Sequence, residues 1–277
     1  MLDEFIRKSL QEDIGDGDHS TLACIPPDAQ GKARLLVKES GIIAGLEVAK
    51  RIYEIVDPAL ELVFYKKDGE VIEVGDIVFQ VSGSSQSILT SERLVLNCMQ
   101  RMSGIATQTA QVLQVIEGCS TKILDTRKTT PGIRFLEKLA VKIGGGENHR
   151  FGLYDMIMLK DNHIDYAGGI KNAIEKTHVY LKESGRSLKI EIEVRSLSEL
   201  KQVLEIGGVD RIMLDNFSPE RLKDALSLIP NTYETEASGG INIDNIRPYA
   251  ETGVQFISIG ALTHSVKGLD LSLKASF

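Results

Sequence analysis

The sequence predicts an α/β protein in which a mixed α/β (α+β) domain, residues 1–118, precedes an α/β barrel of about six parallel strands, residues 119–265. Two observations carry this prediction. Beyond residue 120, short apolar segments alternate with amphipathic ones, which is the pattern of parallel strands joined by helices. The ends of four successive predicted strands, at residues 193, 215, 238 and 260, are 22 or 23 residues apart. This short and regular spacing favours a barrel over a doubly wound sheet.

Hydrophobic periodicity places helices in the first domain at residues 2–12, 45–56 and 90–116, the last interrupted at Ser103-Gly104 and ended by Gly118. Alternating apolar residues predict strands at 31–40 and 75–82. Two more strands are expected to flank Lys67-Asp-Gly69, because Asp-Gly is a frequent hairpin turn. Residues 266–277 are a C-terminal segment, part of which is expected to pack with the first domain.

The barrel strands are predicted from short apolar segments of the second domain, at residues 122–124, 156–159, 189–194, 211–214, 233–237 and 256–259. Helical patterns lie between them, for example at 198–206 and 219–228. Six strands are two fewer than the standard barrel contains. Either the other two come from elsewhere in the chain or the barrel is incomplete.

The bulk composition narrows the class of protein. The 277 residues are 42% hydrophobic and carry a net charge of −7, with no tryptophan, which disfavours nucleic-acid binding through a positive surface. Cys24, Cys98 and Cys119 form no C-x-x-C pair, so neither a disulfide framework nor a structural zinc site is expected. The N-terminus lacks the apolar core of a signal peptide, and no window has the roughly 18 apolar residues of a membrane span. We therefore expect a cytoplasmic protein.

Polar, charged or glycine residues follow every predicted barrel strand. They are Asp125-Thr126-Arg127-Lys128, Lys160-Asp161-Asn162-His163, Glu193, Asp215-Asn216, Ser238-Gly239-Gly240 and Gly260. In α/β barrels the active site lies at the carboxyl ends of the strands. The sequence therefore predicts an active site built from these strand ends.

The last two strand ends are typical of a phosphate site. The segment Ser238-Gly-Gly240 stands before a predicted helix start near Asn242, and backbone N–H groups in such loops hold phosphate. A second glycine-led loop, Gly260–His264, follows the last strand. Barrels often bind phosphate with the loops of their last two strands.

Two carboxylates predict a magnesium site. Glu193 and Asp215 end adjacent strands, and Mg²⁺ combines one or two carboxylates with waters and substrate phosphate oxygens. Glu191 lies on the same strand face as Glu193, because side chains alternate along a strand. One of these two glutamates could therefore serve only structure or solvation.

Basic residues crowd positions 127–160 of this acidic chain. Three of them, spaced by four, are interpreted as the charged face of a surface helix: Arg134, Lys138 and Lys142. The others lie at strand ends or after a run of three glycines, and they are Arg127, Lys128, His149, Arg150 and Lys160. This second set is expected to bind anions, since a planar guanidinium matches a carboxylate.

Four segments are specific enough to identify a family. They are Asp125-Thr-Arg-Lys-Thr-Thr-Pro-Gly132, Gly144-Gly-Gly-Glu-Asn-His-Arg-Phe-Gly-Leu-Tyr-Asp155, Leu159-Lys-Asp-Asn-His163 and Leu214-Asp-Asn216. These segments resemble the motifs of the quinolinate phosphoribosyltransferases. The resemblance runs nearly end to end and includes Glu12-Asp-Ile-Gly-Asp-Gly-Asp18, Glu92-Arg93, Ser103-Gly-Ile-Ala106 and Ser238-Gly-Gly240. A related family linked to molybdenum transport shares much of this pattern but differs around the second and third motifs.

The resemblance implies an N-terminal α/β domain, an open α/β barrel, and a homodimer or hexamer in which the first domain of one subunit caps the barrel of its partner. It implies conversion of quinolinate and phosphoribosyl pyrophosphate, with Mg²⁺, to nicotinate mononucleotide, pyrophosphate and CO₂ in NAD biosynthesis. The residues that it assigns to quinolinate are Arg127, His149, Arg150, Lys160 and, reaching across the dimer, Arg93 of the partner subunit. Those that it assigns to phosphoribosyl pyrophosphate and Mg²⁺ are Lys128, Glu193, Asp215, Ser238, Gly239, Gly240 and Gly260. Thr126 is also counted among the substrate-binding residues.

Four of these residues are expected to be catalytic: Lys128, Lys160, Glu193 and Asp215. Either lysine could stabilise the carbanion left by decarboxylation, and the sequence does not choose between them. Transfer to nicotinate needs fewer cations than this cluster supplies. A transport-linked relative or a phosphosugar- or oxyanion-binding barrel without catalysis is the alternative from another functional class. The sequence gives no chemical role to Asp13–Thr21 or to His264.

Overall fold

The structure, a computed structural model, describes residues 1–276. Up to residue 115 the elements are α1 (Leu2–Ile14), α2 (His19–Cys24), β1 (Gln30–Val37), β2 (Gly41–Ile42), α3 (Leu46–Val56), β3 (Glu61–Phe64), β4 (Val71–Ile72), β5 (Ile77–Ser84) and α4 (Ser85–Val115). Beyond it they are β6 (Lys122–Leu124), α5 (Arg134–Ile143), β7 (Ile157–Leu159), α6 (Asp161–Ala167), α7 (Ile170–Ser184), β8 (Ile190–Val194), α8 (Leu197–Ile206), β9 (Arg211–Asp215), α9 (Pro219–Leu228), β10 (Glu234–Ser238), α10 (Ile246–Ala250), β11 (Phe256–Ser258), α11 (Ala261–His264) and β12 (Leu271–Ser276). None of these helices is both long and apolar enough to cross a membrane.

The chain forms two compact units. The first comprises Met1–Ala110, Thr129–Gly145 and the described part of Leu262–Phe277, and the second comprises Gln111–Lys128 and Gly146–Ala261. Compared with the predicted domains, 1–118 and 119–265, residues 129–145 and 262–265 belong to the first unit and residues 111–118 to the second. For residues 129–145 the reason is packing: Phe135 of α5 stacks edge-on against Phe5 of α1, with 5.8 Å between ring centroids.

An antiparallel sheet with strand order β12-β1-β5-β3 forms the centre of the first unit. The alternation that predicted β1 is observed as burial of Ala33, Leu35 and Val37. Strand β12 pairs with β1 from Lys32↔Ser276 to Val37↔Leu271. The C-terminal segment therefore packs with the first domain, as expected.

The hairpin predicted around Lys67-Asp-Gly69 is wrong. Strand β3 pairs with β5, whereas β4 pairs with β2, so the two strands that flank this turn do not pair with each other. Gly69 does adopt a left-handed conformation (φ 90°). The Asp68 carboxylate, however, accepts the backbone N–H of Leu46 and so stabilises the first turn of α3. The turn chemistry was identified correctly, but the strands find other partners.

The interruption predicted at Ser103-Gly104 is also wrong, because α4 runs without a break for 31 residues. Ser103 is buried, donates its hydroxyl to Ala44 O and accepts the backbone N–H of Ala44, which removes its tendency to disturb the helix. A Cβ added at Gly104 would overlap the carbonyl oxygen of Lys267. Gly104 therefore allows close approach of another segment and does not end the helix.

The interpretation of Arg134, Lys138 and Lys142 as one exposed face is wrong for Lys138. In α5 the side chains of Glu137 and Lys138 are both buried. Glu137 is held by Arg101 of α4, whose Nη2 lies 2.6 Å from Glu137 Oε1. Periodicity alone cannot detect such burial, because it depends on partners that are distant in sequence.

The Asp13–Thr21 segment has a structural role. Asp18 caps α2 by accepting the backbone N–H of Thr21 at 3.1 Å, and it accepts the Thr90 hydroxyl at the same distance. One carboxylate thus fixes the start of α2 against the first turns of α4.

A six-stranded parallel sheet with order β6-β11-β10-β9-β8-β7 forms the second unit. All six predicted barrel strands are present, and the order begins at β6 and ends at β7, so the barrel is open. A single bridge joins Leu124 of β6 to Glu147. Parallel strands bring their carboxyl ends to one edge, which is where the polar residues of the sequence motifs lie.

Candidate active site

The structure places almost all of the predicted site residues at the carboxyl edge of the barrel sheet. They follow or end β6 (Thr126, Arg127, Lys128), β7 (Lys160), β8 (Glu193), β9 (Asp215), β10 (Ser238, Gly239, Gly240) and β11 (Gly260). His149 and Arg150 belong to the loop before β7. Arg93 is exposed on α4, within the first unit.

A lysine and a glutamate from neighbouring strands pair directly. Lys160 Nζ lies 2.8 Å from Glu193 Oε1, and the Glu193 side chain is only 13% exposed. The backbone of Lys160 is fixed as well, since its N–H donates to His163 Nδ1 at 3.0 Å. His163 therefore shapes the end of β7.

The charged groups at this edge lie within electrostatic range of one another. Burial raises the pKa of Asp215, while Asn216, Lys160 and Lys128 act to lower it. Asp215 and Ser238 are directly opposite each other in the β9–β10 ladder. The charges of the two lysines predicted to be catalytic thus both act on the carboxylate at the end of β9.

The guanidinium groups of Arg127 and Arg150, both in the second unit, influence each other electrostatically. Burial lowers the pKa of Arg150, and the positive charge of Arg127 lowers it further. Arg150 Nη1 also donates to Met156 O at 3.0 Å, which fixes one edge of its guanidinium. Like charges so placed repel each other, and an anion with two carboxylates would relieve that repulsion.

The Ser238-Gly-Gly240 loop has the backbone expected of a phosphate site. Gly239 (φ 101°) and Gly240 (φ 65°) both adopt positive φ angles. A Cβ on Gly239 would overlap Asn216 Oδ1, whereas Gly240 faces open space. Asn216, itself at φ 56°, donates its backbone N–H to Ser238 O at 2.8 Å. The β9 and β10 ends therefore meet closely, and only glycine fits between them.

The carboxylates Glu193 and Asp215 suit Mg²⁺ in donor type. Both lie on the same face of adjacent strands, with Glu193 opposite Met213 in the ladder and Asp215 two residues further along. Each is partly accessible to a ligand. Oxygen donors from one or two carboxylates, completed by phosphate oxygens and water, are the usual set for this ion.

His149 is buried, and both of its ring nitrogens face protein groups. Its Nδ1 accepts the backbone N–H of Arg150 at 2.7 Å, and its Nε2 lies 2.9 Å from Glu191 Oε2 and 3.5 Å from Glu236 Oε2. Burial alone would lower the pKa of His149, but the hydrogen bonds to Glu191 and Glu236 outweigh it and raise the pKa to about 9. Burial and the charge of Glu236 raise the pKa of Glu191 to about 7.

Sequence reasoning missed Glu236 and Arg211 altogether. Glu236 lies in the middle of β10 with no exposed surface, and its Oε2 accepts Arg211 Nη1 at 3.0 Å. The available signal was the alternation Glu234-Thr-Glu236 within a strand predicted to be buried, where an acid requires a partner. Of the two acids weighed on β8, Glu191 is the fully buried one and Glu193 reaches the edge.

Comparison with known proteins identifies the family. Residues 18–103 match the N-terminal domain, and residues 105–274 the C-terminal domain, of quinolinate phosphoribosyl transferase. The chain is 46% identical over 284 residues to a chloroplastic nicotinate-nucleotide pyrophosphorylase [carboxylating] of Oryza sativa subsp. japonica, covering 97% of this chain and 76% of that protein. It is 41% identical over 273 residues to a probable nicotinate-nucleotide pyrophosphorylase [carboxylating] of Bacillus subtilis (strain 168), covering 99% and 93% of the two chains.

A solved structure agrees with these matches. The crystal structure of NadC from Streptococcus pyogenes superposes with a TM-score of 0.94 at 40% identity, covering 99% of this chain and 96% of that one. Both domains and the order of the site motifs are thus accounted for by one family. The chain belongs to the quinolinate phosphoribosyltransferase family.

Proposed function

We propose that the chain transfers the phosphoribosyl group of phosphoribosyl pyrophosphate to quinolinate and releases pyrophosphate and CO₂, giving nicotinate mononucleotide. One observation carries this proposal: at the carboxyl end of the parallel barrel sheet Lys160 pairs with Glu193, the charges of Lys160 and Lys128 act on Asp215, and that of Arg127 acts on Arg150. A dicarboxylate and a polyphosphate are the kind of substrates that this many cations can neutralise.

Binding comes first. Arg127 and Arg150 hold the two adjacent carboxylates of the pyridine ring, because paired guanidinium groups fix a planar dianion in one orientation. The positive-φ loop at Gly239 and Gly240, together with Gly260, receives the phosphoribosyl phosphate through backbone N–H groups. Lys128 lies beside the pyrophosphate. The ring nitrogen is thereby aimed at C1 of the ribose.

Transfer and decarboxylation follow in order. The ring nitrogen bonds to C1 as the C1–O bond to pyrophosphate breaks, and Asp215 offsets the positive charge that develops on the ribose. The quaternary nitrogen then draws electrons, so the adjacent carboxylate leaves as CO₂ and its electron pair remains at C2. The ammonium of Lys160, held in place by Glu193, stabilises that carbanion until C2 takes up a proton.

Mg²⁺ is the cation proposed for Glu193 and Asp215, and when bound it would neutralise charge on the departing pyrophosphate. The donor type and the accessibility of both carboxylates support this assignment. The test is an assay that follows CO₂, pyrophosphate and nicotinate mononucleotide together, with and without EDTA. Equal amounts of the three products, lost with EDTA and restored by Mg²⁺, are expected. Products in unequal amounts, or turnover that persists in EDTA, would contradict the proposal.

Adding a methyl group at Gly239 is expected to damage the phosphate loop. Because a Cβ there would overlap Asn216 and the backbone has φ 101°, Gly239→Ala should displace the loop. The expected result is a rise in KM for phosphoribosyl pyrophosphate of about tenfold or more, with KM for quinolinate little changed. Gly253→Ala, also at positive φ (84°) but outside the site, is the matched control for backbone strain. Equal KM values in both variants would remove this loop from the site.

The active unit is proposed to be a homodimer in which Arg93 of the partner subunit completes each site. Exposure of Arg93 on α4 supports the assignment. Arg93→Ala and Lys128→Ala should each be nearly inactive alone. Mixed after reversible dissociation, they should recover about a quarter of wild-type activity, since half of random dimers are mixed and each has one intact site. No recovery from mixtures shown to exchange subunits would place Arg93 in the site of its own chain or outside any site.

A further inference from the structure

Both ring nitrogens of His149 face protein groups. Nδ1 accepts the Arg150 backbone N–H, and Nε2 faces Glu191 and Glu236. Its backbone N–H donates to Asp125 Oδ1 at 2.8 Å, inside the fold. The side chain is only 5% exposed. An imidazole with both nitrogens engaged and no accessible edge is poorly placed to bind a substrate carboxylate directly.

Beneath His149 the barrel interior holds a compact set of charges. Glu191 and Glu236 have no exposed surface, and Arg211 lies between their strands, opposite Glu191 in the β8–β9 ladder. Arg211 Nη1 donates to Glu236 Oε2 at 3.0 Å and stacks over Phe256 with 4.3 Å between Cζ and the ring centroid. Two buried carboxylates this close repel each other unless cations lie beside them, and Arg211 at Glu236 and His149 at both carboxylates supply that charge.

The same loop carries the groups that would touch substrate. Arg150 follows His149 directly, and its backbone is fixed by Nδ1 of that ring while its guanidinium is fixed by Met156 O. Asp125 anchors the backbone of this loop, because it accepts hydrogen bonds from His149 N and from the Asn148 side chain. Asp125 is also two residues before Arg127 in the sequence. The relative placement of Arg127 and Arg150 therefore depends on His149 staying where the buried acids hold it.

We propose that Glu191, Glu236 and Arg211 are positioning residues that hold His149 and, through it, set the placement of Arg150 for a pyridine dicarboxylate. This inference rests on the proposed function and gives His149 an indirect role. The buried charges stabilise one orientation of the imidazole, because two carboxylates within 3.5 Å of Nε2 favour a proton on that nitrogen and leave Nδ1 as the acceptor for Arg150. The spacing of the two guanidinium groups, and with it selection for two adjacent carboxylates, follows from that orientation.

The test uses the isosteric changes Glu191→Gln and Glu236→Gln in the full chain. Each keeps the shape of the side chain and removes the acceptor charge that orients His149. The expected result is a rise in KM for quinolinate on the order of 10- to 100-fold, with KM for phosphoribosyl pyrophosphate within about twofold of wild type. Glu147→Gln is the matched control. Glu147 belongs to the same loop, but its half-exposed carboxylate pairs with Lys122 and not with His149.

A second measurement keeps the test informative if turnover becomes too slow to measure. Quinolinate should raise the unfolding temperature of the wild type and of Glu147→Gln, and much less that of Glu191→Gln. Equal changes in both KM values, with a lowered unfolding temperature, would overturn the positioning role in favour of general destabilisation. Wild-type KM for quinolinate in both glutamine variants would overturn the positioning role but leave the proposed function intact. A wild-type protein that neither binds nor converts quinolinate would overturn both.

Discussion

Replacing Lys160 by alanine is expected to lower kcat by about 100- to 1000-fold while the protein stays folded. The ammonium lies 2.8 Å from Glu193 at the end of β7, and its charge is the one that we propose stabilises the carbanion left by decarboxylation. Removing it should affect the chemical step more than binding. KM for phosphoribosyl pyrophosphate should therefore change much less than kcat.

Steady-state kinetics with both substrates varied would measure this effect, with circular dichroism to confirm the fold. Lys171→Ala is the matched control, because Lys171 is a surface residue of α7 paired only with Glu175 at 3.8 Å. Lys128→Ala distinguishes the roles of the two lysines. Unlike Lys160→Ala, it should raise KM for phosphoribosyl pyrophosphate in addition to lowering kcat. A Lys160→Ala variant with wild-type kcat would remove Lys160 from the chemistry.

Replacing Arg101 by methionine is expected to destabilise the protein by about 3–5 kcal/mol, since it leaves a buried carboxylate without its cation. Glu137 has no exposed surface, and Arg101 contacts Glu137 Oε1 through Nε at 2.8 Å and Nη2 at 2.6 Å. Arg101 Nη2 also donates to Thr263 O, and Glu137 Oε2 accepts the backbone N–H of Thr130. This ion pair thus contacts both the loop at Thr130 and helix α11 at Thr263.

Urea unfolding would measure the loss of stability. The double variant Arg101→Met/Glu137→Leu should be more stable than Arg101→Met alone, because no buried charge is then left unpaired. Arg51→Met, which removes exposed ion pairs with Asp3 and Glu54, should have a much smaller effect. An Arg101→Met protein as stable as Arg51→Met would show that the buried pair contributes little.

Local patterns predicted the barrel well because each strand carries its own signal. Strand β8, for example, is marked in the sequence by the apolar residues Ile190, Ile192 and Val194, all of which are buried. The near-constant spacing then placed Glu193, Asp215, Ser238 and Gly260 at one edge. Because the active site of an α/β barrel lies at the carboxyl ends of its strands, this edge could be predicted as the active site.

Contacts between distant segments were beyond the reach of these patterns. Gly104 was expected to break α4, but its missing side chain makes room for Lys267, more than 160 residues later. Lys138 has the spacing of a surface residue and is buried. The Asp-Gly turn at residue 69 was identified correctly, yet sheet pairing is decided by partners that a turn does not specify.

The residues of the site also fall into those that the sequence could predict and those that it could not. Strand-end residues such as Lys160 and Asp215 could be predicted from position alone. The supporting residues Glu236 and Arg211 could not, because their importance lies in a charge cluster that forms only when β8, β9 and β10 pair. His149 has the loop position of a binding residue, but its burial and its contacts with Glu191 and Arg150 form only in the folded chain.

The most direct test of the central claim is a parallel assay with quinolinate and nicotinate. Each is mixed with the protein, phosphoribosyl pyrophosphate and Mg²⁺, and nicotinate mononucleotide is followed over time. The account predicts product from quinolinate, with one CO₂ per nucleotide, and essentially none from nicotinate, whose single carboxylate brings only half of the negative charge of quinolinate to Arg127 and Arg150. Product from nicotinate at a comparable rate, or none from quinolinate with a folded protein, would contradict it.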